Sequence, residues 1–337
     1  MKKKYPEIAK IAAAVGLGLS VMLGTNGASA DVKIGAVLSV TGPASFLGDP
    51  EKRTIEMYVA EINAKGGVNG QQIKLVIYDD AGDPNQARTF VTRLIEEDKV
   101  DALLAGSTTG TTMPIIPLAE EAQIPLINFA GAVQAVFPAK KWNFKTPHTD
   151  LMACEKIFTD LKKRGLTKVA LISGADAFGK SMRDQCMTVT GKYGIEVLHE
   201  ETYQPRDSDM TPQLTNIKNK PGVQGVVNPG FGQGPAIVTR NYRQLGIAVP
   251  LYESHGVASK SYIDLAGPAA EGVRLPAAAL LVAERLPDND PQRPVAVAYK
   301  LTYEKASGQP VSTFGGHAYD GLFILVEAIK RAGSADA

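Results

Sequence analysis

From Asp31 onward, short apolar runs alternate with stretches whose apolar residues recur every three or four positions. The first kind reads as strands and the second as amphipathic helices. Val32–Leu38 predicts a strand. A helix should begin near GDPEKRT, with Asp49 as its cap and Pro50 in its first turn. Ile55, Val59 and Ile62 then recur at helical spacing, and Gly66-Gly67 should end the helix. Lys74–Tyr78 is the next expected strand, and Asp83-Pro84 opens the next helix. Ala102–Ala105 and Pro125–Phe129 read as two further strands with a helix between them.

A second series follows. Helices are expected over Leu151–Lys163 and Lys180–Lys192. Strands are expected over Lys168–Ser173, Glu196–Glu200, Val223–Val227, Val249–Tyr252 and Gly272–Pro276. The segment Leu286–Pro294 reads as a surface loop, and helices should follow over 295–306 and 316–332. Strand-helix alternation carried through twice predicts two doubly wound, Rossmann-like α/β lobes. Ligands in such sheets bind beyond the carboxyl ends of the strands, so two facing lobes would enclose a cleft.

The first thirty residues belong to neither series. MKKKYPEIAK is basic, IAAAVGLGLSVMLG is apolar but short and Gly-rich, and Ala28-Ser29-Ala30 supplies small residues in an A-x-A arrangement. This is the layout of an export signal with cleavage after Ala30, which would leave the protein in the periplasm. Loss of four Lys and one Glu with residues 1–30 moves the formal charge from +1 to −2. No basic face is implied, and nucleic acid is not an expected partner. A mature chain of this length suits two cores better than one.

The two cysteines, Cys154 and Cys186, fall on successive expected helices. An exported pair can bridge, and the sequence leaves open a disulfide or two buried thiols. No C-x-x-C or His-Cys metal spacing occurs, and the four histidines are scattered, so neither metal nor cofactor is expected. G-x-S-x-G and H-E-x-x-H are absent, which removes the commonest signatures of an exported hydrolase, the remote alternative class.

One motif competes with a binding role. G-x-x-x-x-G-K-S/T runs from Gly174 to Ser181, after an apolar strand and before a helix, as a phosphate-binding loop would. Asp176 inside that loop argues against an anion, and no nucleotide is expected at 174–181.

Several stretches resemble one family. VKIGAVLSVTGPASFLGDPEKRTIEMYVAEINAKGGVNGQQIKLVIYDDAGDPNQA is similar to the opening of the branched-chain amino-acid (Leu/Ile/Val)-type periplasmic binding proteins. GSTTGTTMPIIPLAEEAQIPLI, PGFGQGPAIVTRNYRQLG, SHGVASKSYIDLAG and GHAYDGLFILVEAIKRAG follow in that family's order. The resemblance implies the type I fold: two lobes joined by a hinge, a ligand held between them, and delivery to the permease of an ABC importer. It implies a first lobe of 31–147 plus 279–337, a second of 148–278, and hinge crossings near 146–150 and 277–281. Family members continue for several dozen residues beyond the AIKRAG helix. Their last strand and final crossing are expected to fall in a tail missing from this sequence.

By position in that family, Ser107, Thr108 and Thr109 of GSTTGTT would hold a carboxylate, with Thr109 nearest its carboxylate-binding serine. Ala130, Gly131 and Ala132 would present backbone groups. Leu47, Phe178 and Phe231 would form an apolar wall, Phe46 lying beside Leu47 at the lid position. His255 falls where amino-acid binders place the acid that holds the ligand's ammonium. Burying an ammonium without a partner costs several kcal/mol. The expected ligand is therefore a small carboxylate with an aromatic body and no amine. A branched-chain amino acid is the alternative, with Glu253 taking the ammonium if the local register slips. A sensory module signalling through a partner is a third reading.

Overall fold

In the computed structural model, which describes residues 31–335, the chain builds two separate parallel sheets. The first contains β1 (Val32–Leu38), β2 (Ile73–Asp79), β3 (Ala102–Ala105), β4 (Leu126–Asn128) and β5 (Asn143–Lys145), in the order β2-β1-β3-β4-β5. The second contains β6 (Lys168–Gly174), β7 (Glu196–Tyr203), β8 (Gly225–Asn228) and β9 (Leu251–Glu253), in the order β7-β6-β8-β9. Every pairing within both sheets is parallel. In each lobe the chain runs outward one way, then back past its first strand. That reversal is the topological switch point where such sheets open a crevice.

Helices cover the sheets. The first lobe carries α1 (Ser45–Ala64), α2 (Pro84–Arg93), α3 (Thr109–Thr112) and α4 (Ile116–Ala122). The second carries α5 (Asp150–Lys163), α6 (Ala177–Tyr193), α7 (Thr211–Asn219), α8 (Gly234–Gln244) and α9 (Lys260–Ala266). Two long helices follow, α10 (Arg293–Ser307) and α11 (Thr313–Ala332), and α11 returns to pack on α1, β3 and β4. The chain thus passes between the sheets near 146–149 and again near 276–279, between Leu275 packed on the second lobe and Leu280 packed on the first.

Each sheet has apolar packing on both faces, as buried parallel sheets require. Ile34, Ala36 and Leu38 of β1 pack with Ile55, Val59, Leu322 and Val326 on one side, while Val37 joins Val91, Leu103 and Ile115 on the other. In the second lobe, Val169 and Leu171 meet Phe158, Met182 and Ile195, and Ala170 and Ile172 meet Leu214, Val238 and Tyr242.

Three expectations are corrected. Helix α1 starts at Ser45, not at Asp49, and Pro50 lies inside it. Asp49 instead pairs with Arg53 one turn on, at 2.8 Å. The early start seats Leu47 against Phe314, and Gly48 permits it: a Cβ there would lie 2.2 Å from the Ser39 backbone. The stretch Gly272–Pro276 is not a strand but a single bridge of Arg274 to Tyr252. Gly272 has φ +75, and Pro276 offers no N–H to a ladder. Strand β5 was not expected, because Asn143 and Lys145 are polar. Its place is fixed by Asn128, whose Nδ2 donates to Asn143 Oδ1 at 2.9 Å. The expected cap at Asp83 is present, its carboxylate accepting from Asn85 and Gln86.

Cys154 of α5 and Cys186 of α6 form a disulfide across 32 residues. Closing a loop of that size is worth about 2–4 kcal/mol. Reduction, or the C154S/C186S pair, should lower the unfolding free energy by that amount in a urea titration. An unchanged midpoint would show that the bridge contributes nothing to stability.

Candidate functional site

The carboxyl ends of the strands in both sheets converge on a small cavity of about 40 Å³. The first lobe contributes Ser107, Thr108 and Thr109 after β3, Phe129 and Gly131 after β4, and Leu47, Phe314 and His317 from its helices. The second contributes Phe178 from the first turn of α6, Phe231 after β8, and His255 and Gly256 after β9. Pro147 comes from the crossing between them. Eight of the ten residues proposed from sequence are thereby brought together.

Ala130 and Ala132 are not. Both are buried outside the cavity wall. The Ala130 N–H turns back to Asn128 Oδ1 at 3.2 Å, and Ala132 instead leads into the turn Val133–Ala135. Phe46 also lies behind the wall, where it packs on Phe314 and Phe231 with ring centroids 5.6 and 6.4 Å away.

The three hydroxyls of the GSTTGTT loop differ in what they have left to offer. Ser107 donates to Glu51 and accepts the Ser39 N–H at 3.0 Å, so its proton is committed. Thr108 is the cap of α3 and trades hydrogen bonds with Thr111. Thr109 Oγ1 is buried and has no partner. The N–H groups of Thr109 and Gly110 open the helix and have no carbonyl of that helix to meet.

Opposite stands His255, with both ring nitrogens buried and unpartnered. Its ring packs on Phe178 at 5.4 Å, and Phe178 meets Phe231 edge-on at 5.7 Å. Gly131 lets these rings approach the first lobe: a Cβ there would lie 2.8 Å from Phe178 Cε2 and 2.9 Å from His255 Nε2.

Burial, reinforced by Lys145 and His148, pushes the His255 pKa down to about 3. His317 is pushed down to about 3 by burial, with His148, His255 and Lys145 adding to the effect. Both are neutral imidazoles at ordinary pH. Burial lowers Lys145 to about 8, partly offset by Asp150. Among the described residues no Asp or Glu lines the cavity. Glu253 does not substitute for one. It is fully buried behind the wall, accepts from Thr239 at 3.1 Å, and is pushed up to about 8 by that burial.

The Gly174–Ser181 motif has its groups engaged elsewhere. Asp176 caps α6 and accepts the N–H groups of Phe178 and Gly179 at 2.9 and 3.0 Å, the donors a phosphate would need. Lys180 pairs with Asp184, and Ser181 donates to Asp150.

Phe129, Pro147, Gly256, Phe314 and His317 were missed in the sequence. His317 carried one available signal. It follows Gly315 and Gly316, and side chains there would strike Tyr299 and Leu280. Such a pair of glycines marks a helix start pressed closely against its neighbours.

Two parallel-sheet lobes, joined by chain crossings and meeting over a cavity at their strand ends, define a hinged receptor for a small solute. The Peripla_BP_6 model, Periplasmic binding protein, matches residues 31–337. The chain belongs to that family, whose members are solute-binding receptors and not enzymes. It is 26% identical over 339 residues to the leucine-, isoleucine-, valine-, threonine-, and alanine-binding protein of Pseudomonas aeruginosa, covering 100% of this chain and 87% of that one. An extracellular ligand-binding receptor from Rhodopseudomonas palustris HaA2 superposes with a TM-score of 0.83 at 29% identity, over 90% of this chain and 83% of that one. The fold is also that of an ABC-transporter solute-binding protein from Rhodopseudomonas palustris BisB5 in complex with 3,4-dihydroxy benzoic acid. That likeness has a TM-score of 0.78 at 21% identity and covers 91% and 82% of the two chains.

Holding His255 neutral has a measurable cost. Unfolded histidine takes a proton near pH 6.5, whereas folded His255 does so only near 3. Between those values the unfolded state binds more protons, so stability falls as pH drops, by about 1.4 kcal/mol per pH unit for each such group. The variant His255→Gln should flatten the acid limb of a stability–pH curve by about one proton. An identical limb would mean that His255 titrates normally in the fold.

Proposed function

We propose that this protein is the exported receptor of an ABC importer, and that it captures a small aromatic carboxylate lacking an amine by closing its lobes. The reading is carried by one observation: the unpartnered polar atoms of the cleft, Thr109 Oγ1 and both nitrogens of His255, sit in a wall without a carboxylate. Thr109 and the N–H groups beside it suit an oxyanion. The neutral rings of His255 and His317 suit a hydroxyl or the second oxygen of an acid. Leu47, Phe129, Phe178, Phe231 and Phe314 suit an apolar, flat body. An ammonium would find no counter-ion, and the cost of burying it unpaired is several kcal/mol.

In this reading residues 1–30 are an export signal cleaved after Ala30. The crossings at 146–150 and 277–281 act as the hinge between lobes of 31–147 plus 279–337 and 148–278. Ser107 positions the loop through Glu51, and the importer's permease receives the closed form. The cavity is smaller than the ~150 Å³ that holds benzene in a protein core. The lobes must therefore stand further apart to admit and seat a ligand. The names of the curated relatives favour a second reading, an aliphatic amino acid.

A thermal-shift panel separates the two. Benzoate and hydroxybenzoates at 100 times the dissociation constant should add about 2.7 kcal/mol of stability. Leucine and valine should add none. Thr109→Val should weaken benzoate by about 1.5–3 kcal/mol, the worth of a hydrogen bond to a charged group, with Ser107→Ala mattering less. A response to leucine or valine alone would overturn the reading.

A further inference from the structure

We propose that Lys145, a residue outside the cavity wall, is the charge that selects anions for this cleft. The inference rests on the carboxylate reading above. Lys145 ends β5 at the edge of the first sheet, where the chain leaves for the second lobe. Its Nζ donates to the Gly131 carbonyl oxygen at 3.1 Å. The same glycine forms the wall: its Cα faces Phe178 and His255 Nε2 closely enough that a Cβ would strike both. The ammonium therefore sits one residue behind the cavity surface.

The surroundings compensate that charge only in part. Among the described residues its one acidic neighbour is Asp150 at the start of α5, and the two form no direct ion pair. Asp150 is engaged by Ser181 Oγ and by the N–H groups of Val133 at 3.1 Å and Leu151 at 2.8 Å. The remaining groups that feel Lys145 are imidazoles: His255 from the second lobe and His317 on α11, with His148 on the crossing beside them. Glu51 of α1, behind Ser107 of the wall, is held by that hydroxyl, and burial raises its pKa well above the usual carboxylate range. A ligand carboxylate supplies the opposite charge that this corner lacks. A ligand ammonium meets a like charge that Asp150 offsets only in part.

Because burial lowers Lys145 to about 8, the charge is present below that pH and lost above it. Anion affinity should therefore be flat near pH 7 and fall as pH rises past about 8, approaching tenfold per unit. Three probes test this by titration calorimetry on the full chain: benzoate, benzamide and benzylamine. Lys145→Met should weaken benzoate at least tenfold at pH 7, leave benzamide unchanged and abolish the alkaline fall. Lys145→Arg should keep benzoate binding and move the fall beyond the accessible range. Without any ligand, the His255 and His317 ring titrations, followed by NMR, should shift upward in Lys145→Met.

Benzoate binding by Lys145→Met with wild-type affinity and pH profile would overturn the assignment and leave the carboxylate reading intact. Equal loss of benzoate and benzamide would also overturn it, showing a structural role. A wild-type protein that binds none of the acids overturns the reading and the assignment together.

Discussion

A polar atom buried without a partner is the constraint on which this cleft turns. Leaving a donor or acceptor unsatisfied costs about 1–3 kcal/mol, and folded proteins avoid it. Here three such atoms gather at one seam: Thr109 Oγ1 from one lobe and both nitrogens of His255 from the other. Nothing in the core packing of either lobe demands them. Two apolar sheets would close more favourably on leucines. The hydroxyl and the imidazole are comprehensible as groups waiting for atoms that the chain itself does not provide.

Charge is managed on the same principle. The buried acids stand behind the wall, each fastened by its own donors. Glu51 takes the Ser107 hydroxyl, Asp80 takes Ser39 Oγ at 2.7 Å and the Gly82 N–H at 2.8 Å, and Asp150 takes Ser181 and two backbone donors. Asp176 caps its own helix and Glu253 faces α8. Burial pushes all five pKa values upward. The acids thus shape the loops that carry the wall without themselves lining the cavity. What reaches the cavity unpartnered is one hydroxyl and the imidazole of His255, with a second neutral imidazole, His317, beside them.

The sheets were legible in the sequence because parallel strands buried on both faces leave dense apolar runs, and eight of the nine strands overlap their expected spans. The failures have local causes. Pro50 looked like a helix start, but the helix extends back to Ser45 because Gly48 and Leu47 give it a place to pack. Strand β5 is three residues held by an Asn–Asn contact, which leaves no apolar pattern. Eight wall residues were legible only through their positions in the family resemblance, and the fold brings them together around one cavity. Ala130 and Ala132 were lost because neighbours in a turn need not face the same way. Phe314 and His317 arrive on α11 from far along the chain, and periodicity within a helix says nothing about which cleft it borders. Lys145 was hidden with the strand that carries it.

In the proposed reading the unsatisfied atoms also explain how a ligand moves the lobes. A ligand can shift such an equilibrium only through better affinity for the closed arrangement. With the lobes apart, water satisfies Thr109 and His255, and closure strips that water away. An acid that bonds both sides restores those contacts only when the lobes are together, since Thr109 belongs to one lobe and His255 to the other. An apolar solute would fill the space yet leave the three polar atoms unsatisfied. The penalty that each lobe accepts at the seam is thus the source of the differential affinity, and it ties recognition of the ligand's polar groups to the closure that a permease would read.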